Sequence, residues 1–297
     1  MGKWPSGPRG DKLVNLRESG ASIEDLAKKA GVSYETARVH LTGIIPLEKL
    51  VDDLPVYPRE MLSIEGDCAI TSDWHAPYFS ILWLKRLIAV SEKLGIRKLA
   101  IVGDLTDFKW LSHYMKLDAR GGQGLKQELR VVASLLQLLL RSYDTVYWSM
   151  GNHEARMSAV LNQGNILPFL GELIARGEPG KLITTEHSSM LLNGTWRLEH
   201  PKSYSGNAAV VAAKLSSIFL KNVATAHGHH LGYKHDPSGE YLGIDLGGMF
   251  DTEKQEYLYL GGSTVLPAWN AGFWVYHRGK VDPFDDKLIN WEEWDVE

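Results

Sequence analysis

Apolar and polar positions follow two rhythms along this 297-residue chain. Over residues 11–44 the apolar positions recur at helical spacing in three runs, DKLVNLRES, SIEDLAKKA and SYETARVHLTG. Ser22 and Ser33 stand where N-caps are expected. Ser22-Ile-Glu-Asp25 has the spacing of a capping box with Asp in place of Glu, and Gly31 ends the second run. Beyond residue 62 short apolar runs appear: CAITSD, KLAIVGD, TVYWSMG, WRLEH, NVATAH and YLGID. They alternate with longer runs of helical spacing at Ile81–Leu94, Lys126–Arg141 and Ala208–Leu220. That alternation predicts a layered α/β domain. The Gly- and Pro-rich residues 1–10 predict a loose arm, and IPLEKLVDDLPVYPREML, with prolines amid charges, predicts a linker. The expected organisation is a small all-α domain over 1–45, a linker over 46–62 and an α/β domain over 63–297.

Composition narrows the class of protein. With 44% hydrophobic residues the chain has enough apolar surface to bury a sizeable core. It contains no eighteen-residue apolar run and its first ten residues lack the apolar stretch of a secretory signal, so no membrane partner is expected. The lone cysteine, Cys68, excludes an intramolecular disulfide framework, fits a reducing cytoplasmic location, and reads as a small buried hydrophobe. Net charge is -4. Residues 1–45 carry seven Lys/Arg against five acids, and residues 282–297 carry seven acids against one lysine. No polybasic tract argues for nucleic acid on charge alone.

The candidate chemistry lies where the apolar runs end. AITSDWH ends in Asp73 and His75; LAIVGDLTD in Asp104, with Asp107 three further on; VYWSMGNHE in Asn152, His153 and Glu154; WRLEH in His200; VATAHGH in His227 and His229. In α/β sheets the loops past the strand ends are where sites gather. One Asp or His after a strand reads as a turn residue. Five such ends read together as a metal site, and oxygen and imidazole donors without thiolate suit Mn, Fe, Zn or Ni.

In that order, D-x-H, G-D-x-x-D, G-N-H-E, H and H-x-H, the motifs resemble those of the calcineurin-like metallophosphoesterases, over residues 67 to 230. Ala226 departs from the glycine that commonly precedes the last pair. The resemblance implies a four-layer α/β/β/α sandwich and two divalent ions (Mn, Fe, Zn or Ni) that activate a hydroxide to attack a phosphate ester. It implies Asp73, His75 and His229 on one ion, Asn152, His200 and His227 on the other, and Asp104 bridging. His153 would face substrate and Asp107 and Glu154 would orient histidines. Arg156 is a candidate for a substrate phosphate. The stretch LAKKAGVSYETARVHL resembles a helix-turn-helix, with Ala27, Gly31 and Val32 at the small, turn and core positions, and Ala37 where a larger aliphatic is usual. Its second helix would present Ser33, Tyr34, Glu35, Arg38 and His40 to DNA.

This pairing is similar to phosphoesterases of phages or prophages and makes a nucleic-acid phosphodiester the leading substrate. The alternative is a small-molecule or phosphoprotein phosphatase whose N-terminal module docks a protein partner. A non-enzymatic regulator with a relic domain is disfavoured by the complete set of ligand residues. Oligomeric state is open. His230, beside the H-x-H pair, is expected to face solvent, with a place lining the substrate cleft as the alternative, and His113, His187 and His235 are expected at the surface. Trp269, Trp274, Trp291 and Trp294 are expected to close a core. Residues 104–124, glycine-rich at their end, are a candidate flap carrying Lys109, His113 and Lys116.

Overall fold

The computed structural model describes residues 3–42, 60–108, 111, 124–161, 166–174, 180–254 and 269–294. Lys109, His113 and Lys116 of the candidate flap lie outside these residues, as does most of the expected linker. The chain divides into two compact units, Met1–Arg59 and Glu60–Glu297.

The first unit contains helices α1 (Pro8–Glu18), α2 (Ile23–Ala30) and α3 (Tyr34–Leu41). Ser22 accepts the Asp25 N–H at 3.0 Å and donates to its carboxylate at 2.7 Å; Ser33 accepts the Thr36 N–H at 3.1 Å. Gly31 closes α2 at φ 71°, where a side chain would be strained. Leu13, Leu26, Ala27, Ala37 and Leu41 form the small core. Part of the expected arm is ordered. α1 begins three residues before the apolar run, because Pro8 at the first helical turn has no N–H to leave unpaired, and Trp4 stacks on His40 at 5.3 Å between ring centroids.

Among the described residues the second unit holds two six-stranded sheets. One runs β12–β11–β2–β3–β4–β5, with β2 (Cys68–Thr71), β3 (Lys98–Val102), β4 (Thr145–Ser149) and β5 (Leu182–Thr185) parallel. Antiparallel β11 (Phe273–His277) and β12 (Lys280–Phe284) extend it. The other runs β1–β6–β7–β8–β10–β9: β1 (Leu62–Ile64), β6 (Ser189–Leu192), β7 (Trp196–Glu199), β8 (Asn222–Thr225), β10 (Leu242–Leu246) and β9 (Leu231–His235). Leu62, expected in the linker, opens β1.

Alternation along the central strands explains the layers. In β3, Leu99 and Ile101 pack toward helices α4 (Ile81–Leu94) and α5 (Leu125–Ser142), while Ala100 and Val102 pack between the sheets. α5 supplies Val132, Leu135, Leu136, Leu139 and Leu140, one helical stripe. Helix α8 (Val210–Phe219) covers the far sheet at β8 and β10. The result is an α/β/β/α sandwich, as expected. Two helices were not legible from spacing: α6 (Asn152–Leu161), which begins within the GNHE motif, and α7 (Ile166–Ile174). Cys68 is buried between the sheets. Trp274 and Trp291 are buried as expected, and Trp294 packs on Phe284; Trp269 differs and lies against His229. Among the described residues no helix is long and apolar enough to cross a membrane.

Candidate metal centre

The site forms where β2, β3, β4, β7 and β8 end. Asp73, His75, Asp104, His227 and His229 all have φ between 45° and 71°. Left-handed backbone in a non-glycine residue costs on the order of 1–3 kcal/mol, and Asp and His tolerate it better than most. Five such residues within one cluster turn the chain sharply and aim short polar side chains at a shared volume. Gly103 and Gly151 allow the loops to close: a Cβ on Gly151 would collide with the Asp104 main chain and carboxylate, and one on Gly103 would strike the His200 ring. Ala226 is accommodated, buried in the inter-sheet core.

Three overlapping groups offer ligand atoms within 4.8 Å of one another: Asp73, His75 and His229; His75, Asp104 and His153; Asp104, His200 and His227. In the first, His229 Nε2 lies 3.1 Å from Asp73 Oδ1 and 3.2 Å from His75 Nε2. In the third, His200 Nε2 is 3.4 Å from Asp104 Oδ2 and 2.9 Å from Asn152 Oδ1. The rings of His200 and His227 are 5.4 Å apart.

The donor chemistry fits divalent cations. Asp73 Oδ1 and Asp104 Oδ2 are buried and accept no hydrogen bond. Such oxygens are costly unless a positive charge meets them. The other oxygens are occupied: Asp73 Oδ2 accepts the His227 N–H at 3.0 Å and Asp104 Oδ1 accepts the His153 N–H at 2.9 Å. His75 Nδ1 meets Asp107 Oδ1 at 3.1 Å and His200 Nδ1 meets the Val102 carbonyl at 2.9 Å, each contact leaving Nε2 directed at the cluster.

Titration follows this geometry. Burial pushes the Asp104 carboxyl up, but the His200 and His153 imidazoles outweigh it and hold the group well below the carboxylate range. Asp73 is likewise lowered against burial, mainly by His229. For His75 burial favours the neutral ring, yet Asp107 and Asp73 raise its pKa to about 10; His200 reaches about 10 beside Asp104. Without metal, both imidazoles therefore carry the positive charge that the carboxylates require, and a bound cation would take over that part. Burial lowers His153 to about 4, and lowers His227 and His229.

The remaining expected residues fall as follows. Asp107 contacts His75, and its carbonyl oxygen lies 2.5 Å from His153 Nδ1. Glu154 departs from expectation: its partners are main chain and hydroxyl rather than a histidine. It accepts the N–H groups of Asp104, Thr106 and Gly151, each at 2.9 Å, and the Thr106 hydroxyl at 2.8 Å, so it staples the β3 and β4 loops together. Arg156 Nη1 lies 3.1 Å from His153 Nδ1. His153 Nε2 is 3.7 Å from Asp104 Oδ2. His230 is buried, not solvent-facing, because the turn at His229 folds it inward close to Asp245. His187 is half-buried, whereas His235 is exposed. Phe250 packs against His75 and His229, with Trp269 4.6 Å from His229. Nothing in local spacing signals that aromatic wall, which is assembled from distant segments. In the N-terminal unit, Ser33 is committed to capping, Tyr34 is 53% exposed, and Arg38 pairs with Glu35 on the exposed surface.

Comparison with known proteins adds the following. A family model described as calcineurin-like phosphoesterase matches residues 68–246, more than half of the chain. No curated protein sequence matches it. Among solved structures, that of vacuolar protein sorting 29 from Cryptosporidium parvum matches at a TM-score of 0.34 and 12% identity, covering 74% of this chain and 98% of that one.

Proposed function

The chain belongs to the calcineurin-like phosphoesterase family, and on that premise we propose that it is a two-metal phosphodiesterase acting on DNA. Family membership makes it a hydrolase of phosphoester bonds that uses divalent metal. The observation that carries the finer reading is a pair of carboxylates, Asp73 and Asp104, each with a buried oxygen that accepts no hydrogen bond and each in its own ligand group, with His75 and His229 or with His200 and His227. In this reading Asp73, His75 and His229 would hold one ion and Asn152, His200 and His227 the other, with Asp104 serving both. Bound divalent ions would supply Lewis acidity toward the phosphoryl oxygens and make a shared water acidic enough to ionise near neutral pH.

The chain's own residues do the rest. Asp107 and the Val102 carbonyl fix the tautomers of His75 and His200. Glu154 locks the loops that carry Asp104 and Asn152. His153 donates from Nδ1 to the Asp107 carbonyl, which leaves Nε2 to take up a proton and deliver it to the leaving oxygen. Burial keeps that ring neutral until substrate arrives, and the negative charge of a phosphate favours its protonation. Arg156, whose Nη1 lies 3.1 Å from His153 Nδ1, is the candidate for binding the same phosphate in this reading.

DNA is favoured by the N-terminal unit, whose capped helices and Gly31 turn have the composition of a helix-turn-helix, with Tyr34 and Arg38 exposed on α3. The test uses the full chain with added Mn. Bis(p-nitrophenyl) phosphate should be cleaved faster than p-nitrophenyl phosphate, linear DNA should be degraded, and a DNA mobility shift should weaken steeply with salt. Preference for the monoester with no DNA shift would instead support a phosphatase whose N-terminal unit docks a protein.

A further inference from the structure

Glu128, in the first turn of α5, is 2% exposed. Burial, and then the Asp107 and Glu154 carboxylates, push its pKa up to about 7. An acid buried near two others is costly, and an apolar residue at this helix position would be cheaper. Its Oε1 accepts the N–H of Phe108 at 2.6 Å. Phe108 is buried at φ 41°, a conformation unfavourable for an aromatic residue. The other end of that peptide unit is the Asp107 carbonyl, whose oxygen lies 2.5 Å from His153 Nδ1. A trans peptide is planar, with its N–H and C=O pointing in opposite directions, so holding one end aims the other. A short hydrogen bond accepted from the N–H also polarises the carbonyl and strengthens it as an acceptor.

We infer that Glu128 is a positioning residue for His153, acting through the Asp107–Phe108 peptide to hold the ring in its Nδ1–H form with Nε2 toward the phosphoryl site. One neighbour opposes that form, and the other acceptor near Nδ1 is already engaged. The Asp107 carboxylate is engaged by His75 at 3.1 Å and stands 3.4 Å from His153, so it cannot serve both imidazoles equally. Arg156 offers an N–H to the same Nδ1 at 3.1 Å, which favours a lone pair there. The carbonyl is closer and, polarised by Glu128, decides the tautomer.

The inference rests on the reading of His153 as the group that serves the leaving oxygen, and the test separates the two. Long-range 1H–15N spectra of the labelled full chain at pH 7, with His153 assigned through His153→Ala, should show the Nδ1–H tautomer in the wild type. They should show a mixture in Glu128→Ala. In the metal-loaded chain with bis(p-nitrophenyl) phosphate, Glu128→Ala should lower kcat by about tenfold or more with KM within about twofold. Glu128→Gln, whose amide oxygen still accepts, should fall between. On a His153→Ala background either substitution should change kcat by less than about twofold. An Nε2–H tautomer in the wild type, or equal losses on both backgrounds, would overturn the inference. If Glu128→Ala does not fold, the wild-type spectrum and Glu128→Gln still decide. A fully active His153→Ala would instead remove the role given to His153 in hydrolysis, while the spectrum still judges the relay.

Discussion

The three-helix unit and the strand-end loops obey opposite rules. In the first, four helix boundaries are met by residues that local chemistry favours: Pro8 within the first turn, Ser22 and Ser33 as caps, Gly31 at the left-handed close. In the second, non-glycine residues occupy left-handed backbone, buried carboxylate oxygens lack donors, and two imidazole nitrogens face each other at 3.2 Å. One region is held by local preference. The other is held against local preference by two packed sheets, by the Glu154 staple and, when loaded, by cations. Left-handed non-glycine backbone clusters where chemistry is done, since a bound ion recovers in binding what that arrangement costs.

The sharpest way to break this contrast is Asp104→Asn. It removes the charge that the two proposed ion positions would share while keeping shape, and kcat on a small diester should fall by about 10³-fold, several kcal/mol of transition-state stabilisation. A loss under about tenfold would mean Asp104 is only a turn residue.

Metal itself comes next. Loading at about 100 times Kd should add about 2.7 kcal/mol of stability, read as a rise in the melting temperature of residues 60–297. The pH dependence should also change. His75 and His200, ordinarily near 6.5, are raised to about 10 in the metal-free protein, so their contribution is full below about 6.5 and is lost as pH rises through about 10. Metal-free protein should therefore lose stability across that window. Loaded protein should not, because both rings are already neutral ligands. Parallel curves would refute the assignment of these rings.

Smaller effects compare the two regions by one kind of change. Gly151→Ala should destabilise the large unit by about 1–3 kcal/mol through collision with Asp104 and lower activity with it. Gly31→Ala meets nothing within 4 Å, so its cost, about 1 kcal/mol, comes from its φ of 71° alone and stays in the small unit. Least of all, Ser22→Ala should remove about 1 kcal/mol from the three-helix unit without altering hydrolysis of a small diester. Differential scanning calorimetry resolves both, provided the units unfold separately.

Several features are legible in the sequence alone. The ligand-type residues stood at strand ends because a short apolar run followed by Asp or His is visible in one dimension, and helices such as Ile81–Leu94 announced themselves by spacing. Other elements were not readable. β9 is largely exposed and carries little alternation, β12 contains Pro283, which speaks against a strand, and β1 is only three residues long. Glu128 reads as one more polar position on an amphipathic helix. Only packing against the β3 loop makes it a buried partner of Phe108. His230 read as a loop residue until the turn at His229 folded it inward.

By itself, then, the sequence determined the kinds of groups available and their order: carboxylates and imidazoles after strands, glycines where loops must approach, caps where helices begin. Those are properties of neighbours along a chain, set by dihedral preference and side-chain period. Tertiary structure alone decided which of these groups share a few ångströms. Asp73 and His229 lie 156 positions apart in the numbering yet 3.1 Å apart in space, because parallel strands from two sheets end at one edge. Distance through space depends on how layers pack, and no local pattern encodes it.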